Sequence, residues 1–178
     1  MEQELKVSIR NQLDFDKLLA ALAVQSTETQ INTYLSNAHL QQNKIVARVR
    51  SCNNELKLHI KTDAHSENGY FITNTKSVPL TEKTVEEFIQ NQKIGPEFNN
   101  LQVTIAMKTT RFNAEYKGLE LECDKVEFNG LEFFEIECET LDAEKGKKTI
   151  EALLQEIGIQ FEYATCSKLT RAQQMLKK

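Results

Sequence analysis

From its second residue the chain alternates in polarity: Glu2-Gln3-Glu4-Leu5-Lys6-Val7-Ser8-Ile9. A period of two belongs to a β-strand with unlike faces, and it places Glu2, Glu4, Lys6 and Ser8 on one face and Leu5, Val7 and Ile9 on the other. Same-face neighbours on a strand stand ~7 Å apart, so two carboxylates and an ammonium come within reach of one ligand. On an isolated strand such a face is ordinarily solvated. Here the pattern recurs along the chain with charges of both signs, and most of the charged faces carry one sign only.

The segment 44–50 sets Lys44, Arg48 and Arg50 against Ile45, Ala47 and Val49. The turn Ser51-Cys52-Asn53-Asn54 joins it to a hairpin partner, 55–61, on which Lys57, His59 and Lys61 share a face. A short strand is expected over 27–35, with a polar turn at Ser36 and Asn37, and three more alternating segments over 101–107, 111–116 and 119–124. The last of these carries Glu120, Glu122 and Asp124 together. After a turn at Gly130, Glu135, Glu137 and Glu139 oppose Phe134, Ile136 and Cys138.

Helical periodicity predicts a helix after an Asp14 N-cap, with Leu18, Leu19 and Leu22 inward, and a capped helix over 81–89 closing near Gly95-Pro96. A third covers 143–157, with Ile150, Leu153, Leu154 and Ile157 inward and Gly158 as its stop. Residues 62–79 read as irregular. The tail from 161 ends in a basic helix-like segment and a solvated Lys177-Lys178.

The length of 178 residues and a hydrophobic content of 40% suit one domain, 1–178, with a substantial core. A net charge of −4 gives no global attraction to a nucleic acid duplex or an anionic membrane, so anion binding requires a local concentration of Lys and Arg. No apolar run is long enough to span a bilayer, and the charged start is unlike a signal peptide, so a cytoplasmic protein is expected. Cys52, Cys123, Cys138 and Cys166 lack CxxC spacing and form no zinc pattern with His39, His59 and His65; reduced, packed thiols are expected. Solvated positions are expected for His39 and His65, a polar edge for His59 and structural packing for Tyr34.

These elements describe an α+β fold: about eight antiparallel strands in a curled or closed sheet, with two or three helices outside. If the helices cover the apolar faces, the charged faces turn inward on one another. An unsolvated interior charge costs ~20 kcal/mol on an idealised Born estimate, so such an interior must be a wet channel with an acidic and a basic wall. Carboxylate oxygens suit Mg²⁺ or Mn²⁺, and Lys and Arg suit phosphate oxygens. A ligand that needs both walls is a metal-chelated polyphosphate.

The residues then match a known pattern. Glu2-x-Glu4-x-Lys6 resembles the ExExK signature of the CYTH superfamily, the triphosphate tunnel metalloenzymes. Arg48-x-Arg50, Lys61, Arg111, Glu122-x-Asp124, Gly130 with Glu135-Ile136-Glu137, and Ser167-Lys168 resemble its later motifs in order along the chain. The nearest resemblance is to short stand-alone CYTH proteins of Gram-positive bacteria. It implies an eight-stranded antiparallel β-barrel, the triphosphate tunnel fold, in which Lys6, Arg48, Arg50, Lys61, Arg111 and Lys168 bind triphosphate. Glu2, Glu4, Glu122, Asp124, Glu135 and Glu137 would hold Mg²⁺ or Mn²⁺, with Glu4, Glu135 and Lys61 closest to the chemistry. The implied activity is hydrolysis of a short linear triphosphate: inorganic tripolyphosphate, thiamine triphosphate or a nucleoside triphosphate. The alternatives are a class IV-type adenylate cyclase and a non-catalytic polyphosphate or nucleotide binder. The partner is a triphosphate-containing small molecule, and a homodimer is compatible with all three readings.

Overall fold

The computed structural model describes residues 1–91 and 94–177; Lys178 of the expected tail lies outside them. Eight antiparallel strands form the barrel: β1 Glu2–Ile9, β2 Val24–Ser36, β3 Val46–Cys52, β4 Glu55–Glu67, β5 Tyr70–Pro79, β6 Gln102–Tyr116, β7 Leu119–Phe128 and β8 Leu131–Glu139. They follow one another around the sheet as β5-β4-β3-β2-β6-β7-β8-β1, and pairing of β1 with β5 closes the ring. β1 has two partners along one edge. Its first half meets β5, and its second half, Val7 to Ile9, meets a short β9, Phe161–Tyr163.

Five helices surround or enter the barrel: α1 Gln12–Ala21, α2 Ala38–Gln42, α3 Val85–Asn91, α4 Ala143–Glu156 and α5 Lys168–Met175. The outward residues Leu5, Val7 and Ile9 pack with Phe15 and Leu18 of α1 and Leu153 and Leu154 of α4. On the other side Ala47, Val49 and Leu58 pack with Leu40 of α2 and Phe88 of α3. A third cluster joins the inward ends of the strands, Tyr34, Met107, Val126 and Phe133, to Ala172 of α5, with Leu169 and Met175 beside it. This apolar face makes α5 a stopper for one end of the barrel.

Directly opposed residues on neighbouring strands point to the same side of the sheet, so the register fixes which charges meet. Lys6 faces Glu137 and Ser8 faces Glu135. Arg111 faces Asp124, which faces Glu135. Arg50 lies between Asn32 and Lys57, and Arg48 between Tyr34 and His59. Of these, Lys6, Arg48, Arg50, His59, Arg111 and Glu137 turn into the barrel, while Lys57 is exposed.

Several local expectations need correction. Five helices replace the expected two or three. The α1 cap is Asn11, whose Oδ1 accepts from Asp14 N at 2.9 Å, so Asp14 sits in the first turn and the helix starts earlier than its leucines suggest. Residues 62–79 form the second half of β4 and all of β5. A bulge between Thr62 and His65, with Asp63 at φ 52°, breaks the alternation, but Asn68-Gly69, at φ 47° and 80°, is the Asn-Gly hairpin turn that joins the two strands. The segments 101–107 and 111–116 are one strand, β6. Helix 81–89 shifts to Val85–Asn91, where Thr84 Oγ1 accepts from Glu87 N and the Glu87 carboxylate accepts from Lys83 N.

Phe15 is 1% exposed and its ring lies 5.0 Å from that of Phe134. Chemical denaturation of Phe15→Ala is expected to show a loss of about 3–5 kcal/mol. Leu13→Ala, two residues earlier on the exposed face of the same helix, is expected to stay within about 0.5 kcal/mol of the wild type.

Candidate functional site

The inward side chains surround a cavity of about 500 Å³. Glu2, Glu4 and Lys6 of β1, Arg48 and Arg50 of β3, His59 and Lys61 of β4, Arg111 of β6, Glu122 of β7, Glu137 of β8 and Lys168 of α5 all line it. The strand register thus brings together in one chamber residues from opposite ends of the sequence. Asp124 and Glu135 do not reach the chamber wall: at 0% and 2% exposure they form a layer behind it.

The β1, β7 and β8 side is a network of ion pairs. Lys6 bonds Glu137 and lies 2.6 Å from Glu4. Arg111 grips Asp124 with two prongs, Nε at 2.8 Å and Nη2 at 2.7 Å, reaches Glu137 at 2.9 Å and pairs with Glu122. Lys168 lies 2.9 Å from Asp124, 2.6 Å from Glu135 and 2.8 Å from Glu137. Ser167 caps α5, and this cap aims Lys168 into the barrel. Arg171, one turn on, donates to Ser8 Oγ at 2.9 Å and lies over the Phe133 ring.

Burial works against every charge here, and partners decide the outcome. Burial alone would raise Glu137, but Lys168, Lys6 and Arg111 hold it well below the usual carboxylate range. Glu135 is pushed up, because burial outweighs Lys168 and Glu137 adds repulsion. Burial also raises Glu4, whereas its neighbour Glu2, despite burial, is held low by the hydrogen bond with Glu4 and by Lys61 at 2.7 Å. Burial, with Glu137 and Asp124 adding to it, pushes Glu122 up to about 7.

The β3 and β4 side differs. Among the described residues no carboxylate pairs with Arg48 or Arg50. Arg48 lies over the Tyr34 ring, 6.0 Å from its centroid, and Arg50 donates Nε–H to Asn32 Oδ1 at 3.0 Å. Burial, then Arg48 and Arg111, lower Arg50 to about 10. His59 was expected at a polar edge. It is instead a wall residue opposite Arg48, with a buried Nε2 that has no hydrogen-bond partner. Tyr34 packs as expected, at 5% exposure, and also lines the cavity. His39 is exposed as expected, and His65 borders the cavity mouth. All four cysteines are free.

Among the described residues two groups of carboxylates have oxygens within 4.8 Å of one another: Glu2, Glu4 and Glu139, and Asp124, Glu135 and Glu137. Both are all-oxygen donor sets of the kind a hard divalent cation takes. The first is open to solvent through the exposed Glu139, which shares a face with Glu135 and Glu137 in the sequence pattern but is not among the expected metal ligands. The second is buried and already compensated by Lys168, Arg111 and Lys6. Asn32 was not singled out in the sequence, because it lies among Thr, Gln and Asn residues whose polarity carries no charge pattern.

Burial, followed by Arg48, Arg50 and Lys61, lowers His59 to about 4. An unfolded histidine titrates near 6.5, so between about pH 4 and 6.5 the unfolded chain binds more protons at this position than the folded one. The stability that His59 contributes is therefore present above that window and lost as pH falls through it. Denaturation of His59→Asn across pH 4–7 is expected to show a shallower loss of stability on acidification than the wild type.

The CYTH domain family matches residues 1–172. Among solved structures the chain is similar to a Hippeastrum protein described as a candidate adenylyl cyclase with a dominant triphosphatase activity, at 21% identity and TM-score 0.82, covering 96% of this chain and 94% of that one. It is also similar to a candidate adenylate cyclase from Bacillus halodurans, at 18% identity and TM-score 0.69, covering 96% and 98%. A Pyrococcus horikoshii protein aligns at 20% identity and TM-score 0.70, covering 97% and 99%. At these identities the structures show the shared fold. A search of the curated proteins found no match. No helix among the described residues is long and apolar enough to cross a membrane. With the tunnel barrel, its charged chamber and a match across nearly its whole length, the chain belongs to the CYTH domain family.

Proposed function

We propose that the chain is one CYTH domain acting as a metal-dependent triphosphatase on a short linear triphosphate. The observation that carries this reading is the imbalance across the chamber. Among the described residues Arg48 and Arg50 face the cavity without a carboxylate partner, while Lys6, Lys61, Arg111 and Lys168 all have one. A half-buried guanidinium left in this way is stabilised by an anion, and planar forks suit phosphate oxygens. The Hippeastrum protein described as a triphosphatase supports the same substrate class.

In this reading Arg48, Arg50 and Lys61 hold the phosphates, and Lys6, Arg111 and Lys168 supply positive charge from the opposite side. Glu2 and Glu4, on the solvent-open side, would hold Mg²⁺ or Mn²⁺, with Glu122 and Glu137 facing the same chamber and Asp124 and Glu135 supporting it from behind. A bound divalent cation supplies charge neutralisation at the attacked phosphate and acidifies a bound water. Fixed guanidinium groups stabilise the charge that develops on the leaving phosphate. Glu122, raised to about 7 and lining the cavity, is suited to take a proton from the attacking water near neutral pH.

Phosphate release from tripolyphosphate, ATP, thiamine triphosphate and pyrophosphate, with Mg²⁺, Mn²⁺ or EDTA, tests the proposal. Metal-dependent release from a triphosphate with pyrophosphate inert is expected. Cyclic AMP from ATP without phosphate release from the other triphosphates would favour a cyclase, and no turnover at all would remove the enzymatic reading. Arg50→Leu is expected to lower turnover on the order of 100-fold. Its melting temperature is expected to change little, because relief of a half-buried, unneutralised charge is offset by the loss of the donor to the buried Asn32 Oδ1.

A further inference from the structure

We propose that Asn32 is the positioning residue that holds the Arg50 guanidinium ready for a phosphate without neutralising it; this rests on the reading of the cavity as a triphosphate site. Two arginines in the barrel stand in equivalent local settings and are treated oppositely. Arg111 on β6 lies directly opposite Asp124 on β7, and Arg50 on β3 lies directly opposite Asn32 on β2. In both pairs the residue across the ladder accepts from the arginine Nε–H, at 2.8 Å for Asp124 and 3.0 Å for Asn32. Asp124 then takes a second prong, from Nη2, and cancels the charge. Asn32 has one acceptor oxygen. Its amide nitrogen turns away and donates to Thr109 Oγ1 at 3.3 Å.

The hydrogen bonds settle the amide orientation, because Arg50 Nε–H can only donate and so must meet the oxygen. Asn32 and Thr109 are 3% and 1% exposed, so this arrangement is held by packing on all sides. Both terminal nitrogens of Arg50 are left without a protein acceptor among the described residues, beside the cavity that the side chain lines. The guanidinium is therefore fixed at its inner edge and uncommitted at its outer edge, the geometry for two-pronged recognition of a phosphate. A carboxylate at position 32 would orient Arg50 equally well but would compete with the phosphate for its charge.

Calorimetric titration with inorganic tripolyphosphate in EDTA, beside thermal melting of the ligand-free proteins, tests this with Asn32→Asp, Asn32→Leu and Thr109→Val. Asn32→Asp is expected to weaken binding about tenfold or more, by engaging the charge that the anion needs. Its ligand-free melting temperature should equal or exceed that of the wild type, because the new carboxylate compensates Arg50. Asn32→Leu is expected to weaken binding by loss of orientation, and Thr109→Val to weaken it less. Wild-type affinity in Asn32→Asp would overturn the inference, and so would weaker binding accompanied by a lowered ligand-free melting temperature, which assigns Asn32 to packing alone. Absence of tripolyphosphate binding by the wild type both in EDTA and with Mg²⁺ would overturn the reading of the cavity itself.

Discussion

The structure depends on charge compensation inside the barrel. Four carboxylates, Glu4, Asp124, Glu135 and Glu137, and three cations, Lys6, Arg111 and Lys168, are buried at 9% exposure or less. An isolated ion at such a site costs several kcal/mol even after relaxation, so each of these groups must find a partner as the barrel closes. The ladder register provides it, placing Lys6 opposite Glu137 and Arg111 opposite Asp124. The network still carries more carboxylates than cations. This surplus is consistent with Glu4 and Glu135 being pushed up while Glu137 stays ionised.

Across the chamber the imbalance is reversed, since among the described residues Arg48 and Arg50 have no carboxylate partner. In the proposed reading a divalent cation on the acidic side and a polyphosphate on the basic side would each correct one imbalance, and each would attract the other. The apolar stopper α5 links the two: Lys168 compensates the deep acidic layer, while Leu169 and Ala172 seal the end of the barrel against Tyr34, Met107 and Phe133. Docking of α5 therefore seals the barrel end and neutralises the deep carboxylates together.

Much of this was legible in the sequence because a strand has an exact period. Alternation in β1, β3, β7 and β8 marks the inward charges in the sequence, and their turning inward follows from covering the apolar faces. The second half of β4 and all of β5 were not legible, because the bulge at Asp63 shifts the phase of the alternation, even though Asn68-Gly69 marked the turn. The single strand β6 was read as two segments across Lys108-Thr109-Thr110, where polar residues on both faces hide the alternation. Asn32 was missed, and His59, though placed on the charged face, was expected at an edge, for a different reason. Their significance lies in which neighbour they face, Arg50 and Arg48, and that is fixed by register between strands, not by pattern within one.

The most direct test of the central claim is a crystal structure with tripolyphosphate and Mn²⁺, using anomalous scattering to place the metal. The account predicts phosphate oxygens against Arg48, Arg50 and Lys61, and manganese between the phosphates and Glu2 and Glu4. Phosphate bound outside the chamber, or within it but away from both arginines, would contradict it.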